Sequence, residues 1–162
     1  MVIGVTQAIQ ETLPKAVSLA NPVHSNREWG YGDRIVRQVA SMHLRDARSR
    51  VLVVTHVRIY MNDGTSVFGM GVEGVGGIVS TERLRPEVYG KPSDDKLLLQ
   101  RVVNTAMHEL GHAYGLTHCG NQRCAMYLSY NVHETDRKGH RFCETCQQQL
   151  DRNKSCFGLT VQ

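Results

Sequence analysis

Between residues 33 and 47 (DRIVRQVASMHLRDA) apolar side chains fall at Ile35, Val36, Val39, Met42 and Leu44, with polar residues between them. Spacings of three and four predict an amphipathic helix. The period then changes. Residues 50–60 (RVLVVTHVRIY) form a β-branched run that predicts one buried strand, ended by the turn Asn62-Asp63-Gly64. The next stretch, SVFGMGVEGVGGIVS, interleaves glycine with Val, Phe, Met and Ile. It predicts two short strands, near Val67–Met70 and Gly77–Ser80, one of them an edge able to pair with an extended peptide. A phosphate-cradling loop is not indicated, because Gly71, Gly74, Gly76 and Gly77 miss the dinucleotide spacing and no Gly-Lys-Ser/Thr follows. From Pro92 onward, Leu97, Leu98, Val102, Ala106, Leu110 and Ala113 give a long apolar stripe. The stripe predicts a second, mostly buried helix with Ser93 as N-cap and Asp94 and Asp95 at its positive end. At the start of the chain, residues 1–5 read as a short strand. Thr6 can cap a helix over 7–20 that Pro14 breaks, and residues 21–32 read as a loop.

Length and composition narrow this picture without redirecting it. The chain has 162 residues, 41% hydrophobic and 21% charged, which suits a single domain or one domain in two lobes with enough apolar material for a core. The formal charge of +4 is small and scattered; the densest basic stretch, Arg45 to Arg50, reads as a solvated helix end and not a nucleic-acid patch. No secretory leader and no run of about eighteen apolar residues is visible, so neither export nor a membrane span is expected and the expected location is the cytoplasm. In that compartment five cysteines point to metal or redox chemistry before disulfides, and the odd count argues against full internal pairing.

The candidate chemistry is concentrated at residues 108–119, HELGHAYGLTHC. His108 and His112 are four residues apart, so on a helix they leave the same face about 40° past one full turn. Both imidazoles can then reach one ion. Glu109 lies about 100° around from His108 and can approach the site without filling the same position. His118, six residues beyond His112, would face away if the helix continued. The helix must therefore stop and the chain turn back, and Gly115 stands where a left-handed residue is needed. Gly111, between the two ligands, allows close packing. Three neutral imidazoles leave a fourth position for water, as in catalytic zinc sites, and Glu109 can act as general base on that water and then pass the proton to a leaving amine.

After His118 come Cys119, Cys124, Cys143 and Cys146, two pairs separated by a loop, a pattern that suits a closed, structural four-thiolate zinc site. His133 and His140 are rival ligands, though four thiolates complete the shell without them. Cys156 is left over, and His24, His43 and His56 fit no ligand spacing. Two zinc ions would balance four thiolates and leave the formal charge unchanged.

The segments HELGHAYGLTHC, NQRCAM and CETC, spanning His108 to Cys146, together resemble the archaemetzincin family of the metzincin metallopeptidases. Val67–Gly69 and the run Ser80–Leu84 also look like family features. The resemblance implies a zinc metallopeptidase with two zinc ions. His108, His112 and His118 would hold the catalytic ion and Glu109 would be the base. Cys119, Cys124, Cys143 and Cys146 would hold the second ion, and Met126 would be the Met-turn residue. Tyr127 and Tyr130 would be outside candidates for oxyanion contact. It further implies an α+β fold forming one catalytic domain over residues 1–162. A twisted mixed sheet with helices would build an upper lobe to about residue 115, and a small lower lobe would follow Gly115, with a peptide or protein substrate in the cleft between them. No inhibitory propeptide is recognisable. Two other readings stay open: a non-catalytic zinc module binding protein or nucleic acid through Arg123, Arg137, Lys138, Arg141 and Arg152, and a zinc hydrolase of small non-peptide amides. No nucleic-acid or membrane partner is expected, and the sequence leaves the oligomeric state unspecified.

Overall fold

The computed structural model describes residues 32–44 and 49–156. The strand and helix expected over residues 1–20, the expected loop up to residue 31, positions 45–47 of the helix expected over 33–47, and His24 lie outside the described residues; the helix itself ends at His43, before Leu44.

The first described helix, α1, runs Gly32–His43. Its buried side is the row Gly32, Val36 and Ala40, spaced four apart, with Ile35 and Val39 packed beside it. Met42, expected on the apolar stripe, is 64% exposed, because it lies off that row.

The run over residues 50–60 is two strands and not one: β1 Val51–Thr55 and β2 Ile59–Tyr60. The chain bends between them, where Val57 N donates to Thr55 Oγ1 at 3.1 Å and Ser80 Oγ donates to Val57 O at 2.8 Å. These bonds satisfy main-chain groups that would otherwise have extended the ladder. The expected turn follows, with Thr65 N donating to Asp63 Oδ1 at 2.9 Å. β2 then pairs antiparallel with β3, Ser66–Val67. At Phe68 the chain changes sheets and becomes β4, Gly69–Val72, which turns back into β5, Gly76–Ser80. β5 is the centre of a mixed sheet in the order β1-β5-β4, parallel to β1 and antiparallel to β4, and all five of its residues are buried.

The long helix α2, Asp95–Ala113, crosses this sheet. Its N-cap is Asp94, whose side chain accepts from Leu97 N at 2.9 Å, and not Ser93 one residue earlier. Both residues are competent caps, and the chosen one puts the carboxylate on the helix's positive end. The two faces of the sheet bury different sets. Val36, Val53, Ile59, Val72 and Ile78 pack on the α1 side; Phe68, Val79, Leu84, Val102, Ala106 and Val132 form the second core with α2. Adjacent Ile78 and Val79 thus face opposite ways, as the period-two pleat requires. The architecture is α+β, with helices on both faces of a small mixed sheet. No helix among the described residues is long and apolar enough to cross a membrane.

Beyond α2 the chain is mostly irregular, with two short helices, α3 Val132–Arg137 and α4 Glu144–Cys156. A third cluster holds this part together: Leu116, Cys124, Met126, Cys146 and Leu150. Arg101 ties it to α2. It is fully buried, donates through Nε and Nη2 to Asp136 at 2.6 and 2.8 Å, and through Nη1 to Leu84 O at 2.8 Å. Removing its counter-charge would leave a guanidinium buried without an anion. Asp136→Ala is therefore expected to destabilise the fold by about 3 kcal/mol, read as a lower urea midpoint at unchanged slope. A midpoint equal to that of the parent protein would contradict the clamp.

Candidate active site

α2 ends where the sequence requires it to end. Gly115 adopts φ 77°, its N–H donates to His112 O at 2.9 Å, and Leu116 N donates to Gly111 O at 3.0 Å. This is a Schellman reversal, with buried Leu116 sealing it. The reversal brings His118 back beside the helix. His112 Nε2 lies 3.2 Å from His108 Nε2 and 3.2 Å from His118 Nε2.

The rings are held by main chain. His108 Nδ1 is 2.8 Å from Ala125 O, and His112 Nδ1 is 2.8 Å from Leu116 O. A carbonyl oxygen can only accept, so each Nδ1 carries the proton and each Nε2 carries an unshared pair. Two such pairs facing each other across 3.2 Å repel unless a cation lies between them. Three nitrogens at about 2.0–2.1 Å from a tetrahedral zinc ion would stand roughly 3.3 Å apart, so the donor set fits zinc. Burial keeps the imidazoles neutral: it pushes His108 down to about 2 and also lowers His112 and His118.

Glu109 is 6% exposed and lies against the sheet. Burial raises its carboxyl to about 8, opposed by the Lys138 charge and by the Gly71 N–H. Its approach is possible because Gly69, Gly71 and Gly77 face α2 without side chains. A Cβ on Gly69 would stand 2.6 Å from Glu109 Oε1, and one on Gly77 would stand 2.9 Å from Glu109 Cβ. Gly111 does the same on the other side of the helix, where a Cβ would run into Met126 Sδ and stand 3.2 Å from Phe142. Met126 itself is fully buried.

The four cysteine sulfurs form a second group, all within 4.8 Å of one another and none in a disulfide. Cys119 Sγ and Cys143 Sγ are 3.8 Å apart, close to the roughly 3.8 Å edge of a tetrahedron with Zn–S bonds of about 2.3 Å. Backbone N–H groups aim at these sulfurs: Cys143 N and Met126 N at Cys124 Sγ (3.3 and 3.4 Å), and Asn121 N at Cys119 Sγ (3.5 Å). The Cys146 N–H lowers the Cys143 thiol, whereas burial raises Cys124 and Cys146. His133 and His140 belong to neither group. Cys156 closes α4.

A cleft of about 610 Å³ opens over the histidines, walled by β3 and β4 on one side and residues 128–138 on the other. Tyr130 stands at its rim, 78% exposed. Tyr127 is half-buried, and its carbonyl accepts from Lys138 Nζ at 3.1 Å. Lys138 is only 4% exposed and lines the cleft, unlike Arg123, Arg137, Arg141 and Arg152, which are exposed. Burial draws its ammonium down to about 8. Nothing local in the polar run DRKGHR marks this lysine as an inside residue.

The model of peptidase family M54 matches residues 31–152. The chain is 36% identical to an archaemetzincin of Thermococcus kodakarensis over 93% of this chain and 81% of that protein. It is 42% identical to an archaemetzincin of Pyrococcus furiosus over 62% of this chain and 53% of that one, about half the relative's length. Among solved structures it is similar to a zinc-dependent peptidase from Methanocorpusculum labreanum, with TM-score 0.66, 28% identity, and coverage of 91% of this chain and 94% of that one. It is also similar to an archaemetzincin from Methanopyrus kandleri, with TM-score 0.66, 28% identity, and coverage of 96% and 88%. With the family model covering three-quarters of its length, the chain belongs to peptidase family M54, the archaemetzincin family of zinc metallopeptidases.

Proposed function

We propose that the chain hydrolyses peptide bonds in a single catalytic unit whose substrate lies in the cleft between the part up to about residue 115 and the part after it. His108, His112 and His118 hold the catalytic ion. Cys119, Cys124, Cys143 and Cys146 hold a second, structural ion, and Met126 is the Met-turn residue. The observation that carries this reading is the convergence of three imidazole nitrogens beside a buried carboxylate, at the floor of an open cleft.

The catalytic zinc ion supplies Lewis acidity, which acidifies water and polarises a carbonyl. The chain's own residues do the rest. Ala125 O and Leu116 O hold two imidazoles by Nδ1 and keep their Nε2 atoms aimed inward. Glu109 takes the proton of the attacking water and returns it to the departing amine. A carboxyl that burial has made more basic suits both transfers. β4, the terminal strand of the three-stranded sheet, offers its edge to an extended peptide, which orients the scissile bond over the histidines. Burial around Glu109 keeps bulk water from competing for its proton.

Cleavage-site profiling on a diverse peptide mixture, with metal analysis of the same sample, tests the reading. Two zinc ions per chain and cleavage of peptide bonds are expected, lost on chelation and restored by zinc. A zinc-loaded sample that cleaves no peptide would overturn it.

A further inference from the structure

Lys138 is a buried ammonium with no carboxylate of the described residues within ion-pair distance; Glu109 and Cys124 act on it only from farther away. It is 4% exposed, and its one hydrogen bond among the described residues goes to Tyr127 O at 3.1 Å. An ammonium has three donors, so two of them have no protein partner there. No carboxylate of the described residues forms an ion pair with it. Burying a charge in this way is costly, and the fold does not let the side chain escape. Asn104 Nδ2 donates to Lys138 O at 2.9 Å and to Thr135 O at 3.0 Å, while Lys138 N donates to Glu134 O at 3.0 Å. The Arg101–Asp136 pair clamps the same short helix. These bonds fix the main chain at Lys138, and Tyr127 O holds the ammonium.

A second, independent group points the same way. Ser129 Oγ is buried and has no hydrogen-bond partner. Ser129 is two residues from the carbonyl that holds Lys138, and both line the cleft that contains Glu109 and the imidazoles. The neighbouring hydroxyls are already engaged: Thr105 Oγ1 donates to Arg101 O at 2.8 Å and Thr135 Oγ1 to Asn131 O at 3.5 Å. The wall thus holds an ammonium with spare donors and a buried hydroxyl without a partner, and both are donors that suit an anionic acceptor with two oxygens.

We propose that Lys138 and Ser129 form a carboxylate receptor beside the catalytic centre, so that the enzyme selects peptides carrying a carboxylate, from an acidic side chain or a free C-terminus, close to the scissile bond. This rests on the peptidase reading above and names the substrate class of that site.

Twin peptides test it on the zinc-loaded protein: Asp or Glu against Asn or Gln near the cleaved bond, and a free against an amidated C-terminus. The acid member of one pair is expected to be cleaved with about tenfold or higher kcat/KM, as a charge-assisted hydrogen bond provides, and the responding pair identifies the source of the carboxylate. Lys138→Met should bring that ratio to about one, Lys138→Arg should restore part of it, and Ser129→Ala should reduce it. The ratio is informative even if a variant is slower overall. Binding gives a readout independent of turnover. In the zinc-loaded Glu109→Gln protein, the dissociation constants of the same labelled twins should differ by a similar factor, and Lys138→Met in that background should erase the difference. Equal rates and equal affinities for acid and amide twins in the parent protein would overturn the receptor and leave the peptidase reading intact. Failure to cleave any peptide, with selective acid binding preserved, would overturn the peptidase reading alone.

Discussion

Glu109→Gln is expected to cut peptide cleavage by about 10²–10⁴-fold, the range for losing a positioned acid–base group, with zinc content unchanged. The substitution is close to isosteric, so the packing of α2 on Gly69, Gly71 and Gly77 is preserved. An amide can still accept from the Gly71 N–H, the bond that helps to hold the carboxylate. What it cannot do is take a proton and return it. The side chain is buried where the charged form is disfavoured, so a neutral replacement is not expected to weaken the fold. Single-turnover cleavage and metal analysis on one preparation check this. Cleavage within a few-fold of the parent would remove Glu109 from the mechanism, whereas loss of zinc would show that the carboxylate supports the metal site.

Gly71→Ala is expected to push the active-site helix off the sheet. Its Cβ would lie 2.5 Å from both Glu109 O and His112 Cβ. Both neighbours belong to α2 or its first side-chain atom, so relief requires the helix to lift from β4. Overpacking of this kind costs about 1–3 kcal/mol, and here the displaced element also carries His108 and His112. Thermal unfolding should shift down and the catalytic zinc should bind more weakly. Gly69→Ala is the informative contrast. Its Cβ would meet Glu109 Oε1 at 2.6 Å and Glu109 Cγ at 2.7 Å, atoms of a side chain and not of the helix backbone. The carboxylate can swing aside, so the fold and zinc content should hold while cleavage falls. Unchanged stability and zinc affinity in Gly71→Ala would show that α2 is not seated on the sheet as described.

Much of this was readable in the chain. Helical spacing places His108 and His112 on one face of the helix, the turn chemistry of Gly115 reverses the chain towards His118, and the spacing of the paired cysteines marks the four sulfurs that gather within 4.8 Å of one another. The rest depends on contacts that leave no mark in local pattern. The β-branched run over 50–60 looks the same whether or not it changes sheets, and the break is decided by Ser80 reaching Val57 O. Ser93 and Asp94 are equally good caps by type, and the backbone's path into α2 selects the second. Gly69, Gly71 and Gly77 read as weak points in strands, while their purpose is to admit a helix. Lys138 reads as surface charge, and only the Asn104 and Arg101 bonds from a distant helix draw it inside.

The imidazoles take their aim from carbonyl oxygens at positions 116 and 125, and those oxygens are common to every amino acid. Residue identity at these two places can therefore drift, within the limits of volume, without releasing either ring. The path of the backbone cannot drift in the same way. Ala125 is spliced between Cys124 and Met126, so the sulfur cluster acts as a guy-rope on the first histidine, and its slackening would be felt as a rotated ring before it was felt as an unfolded lobe.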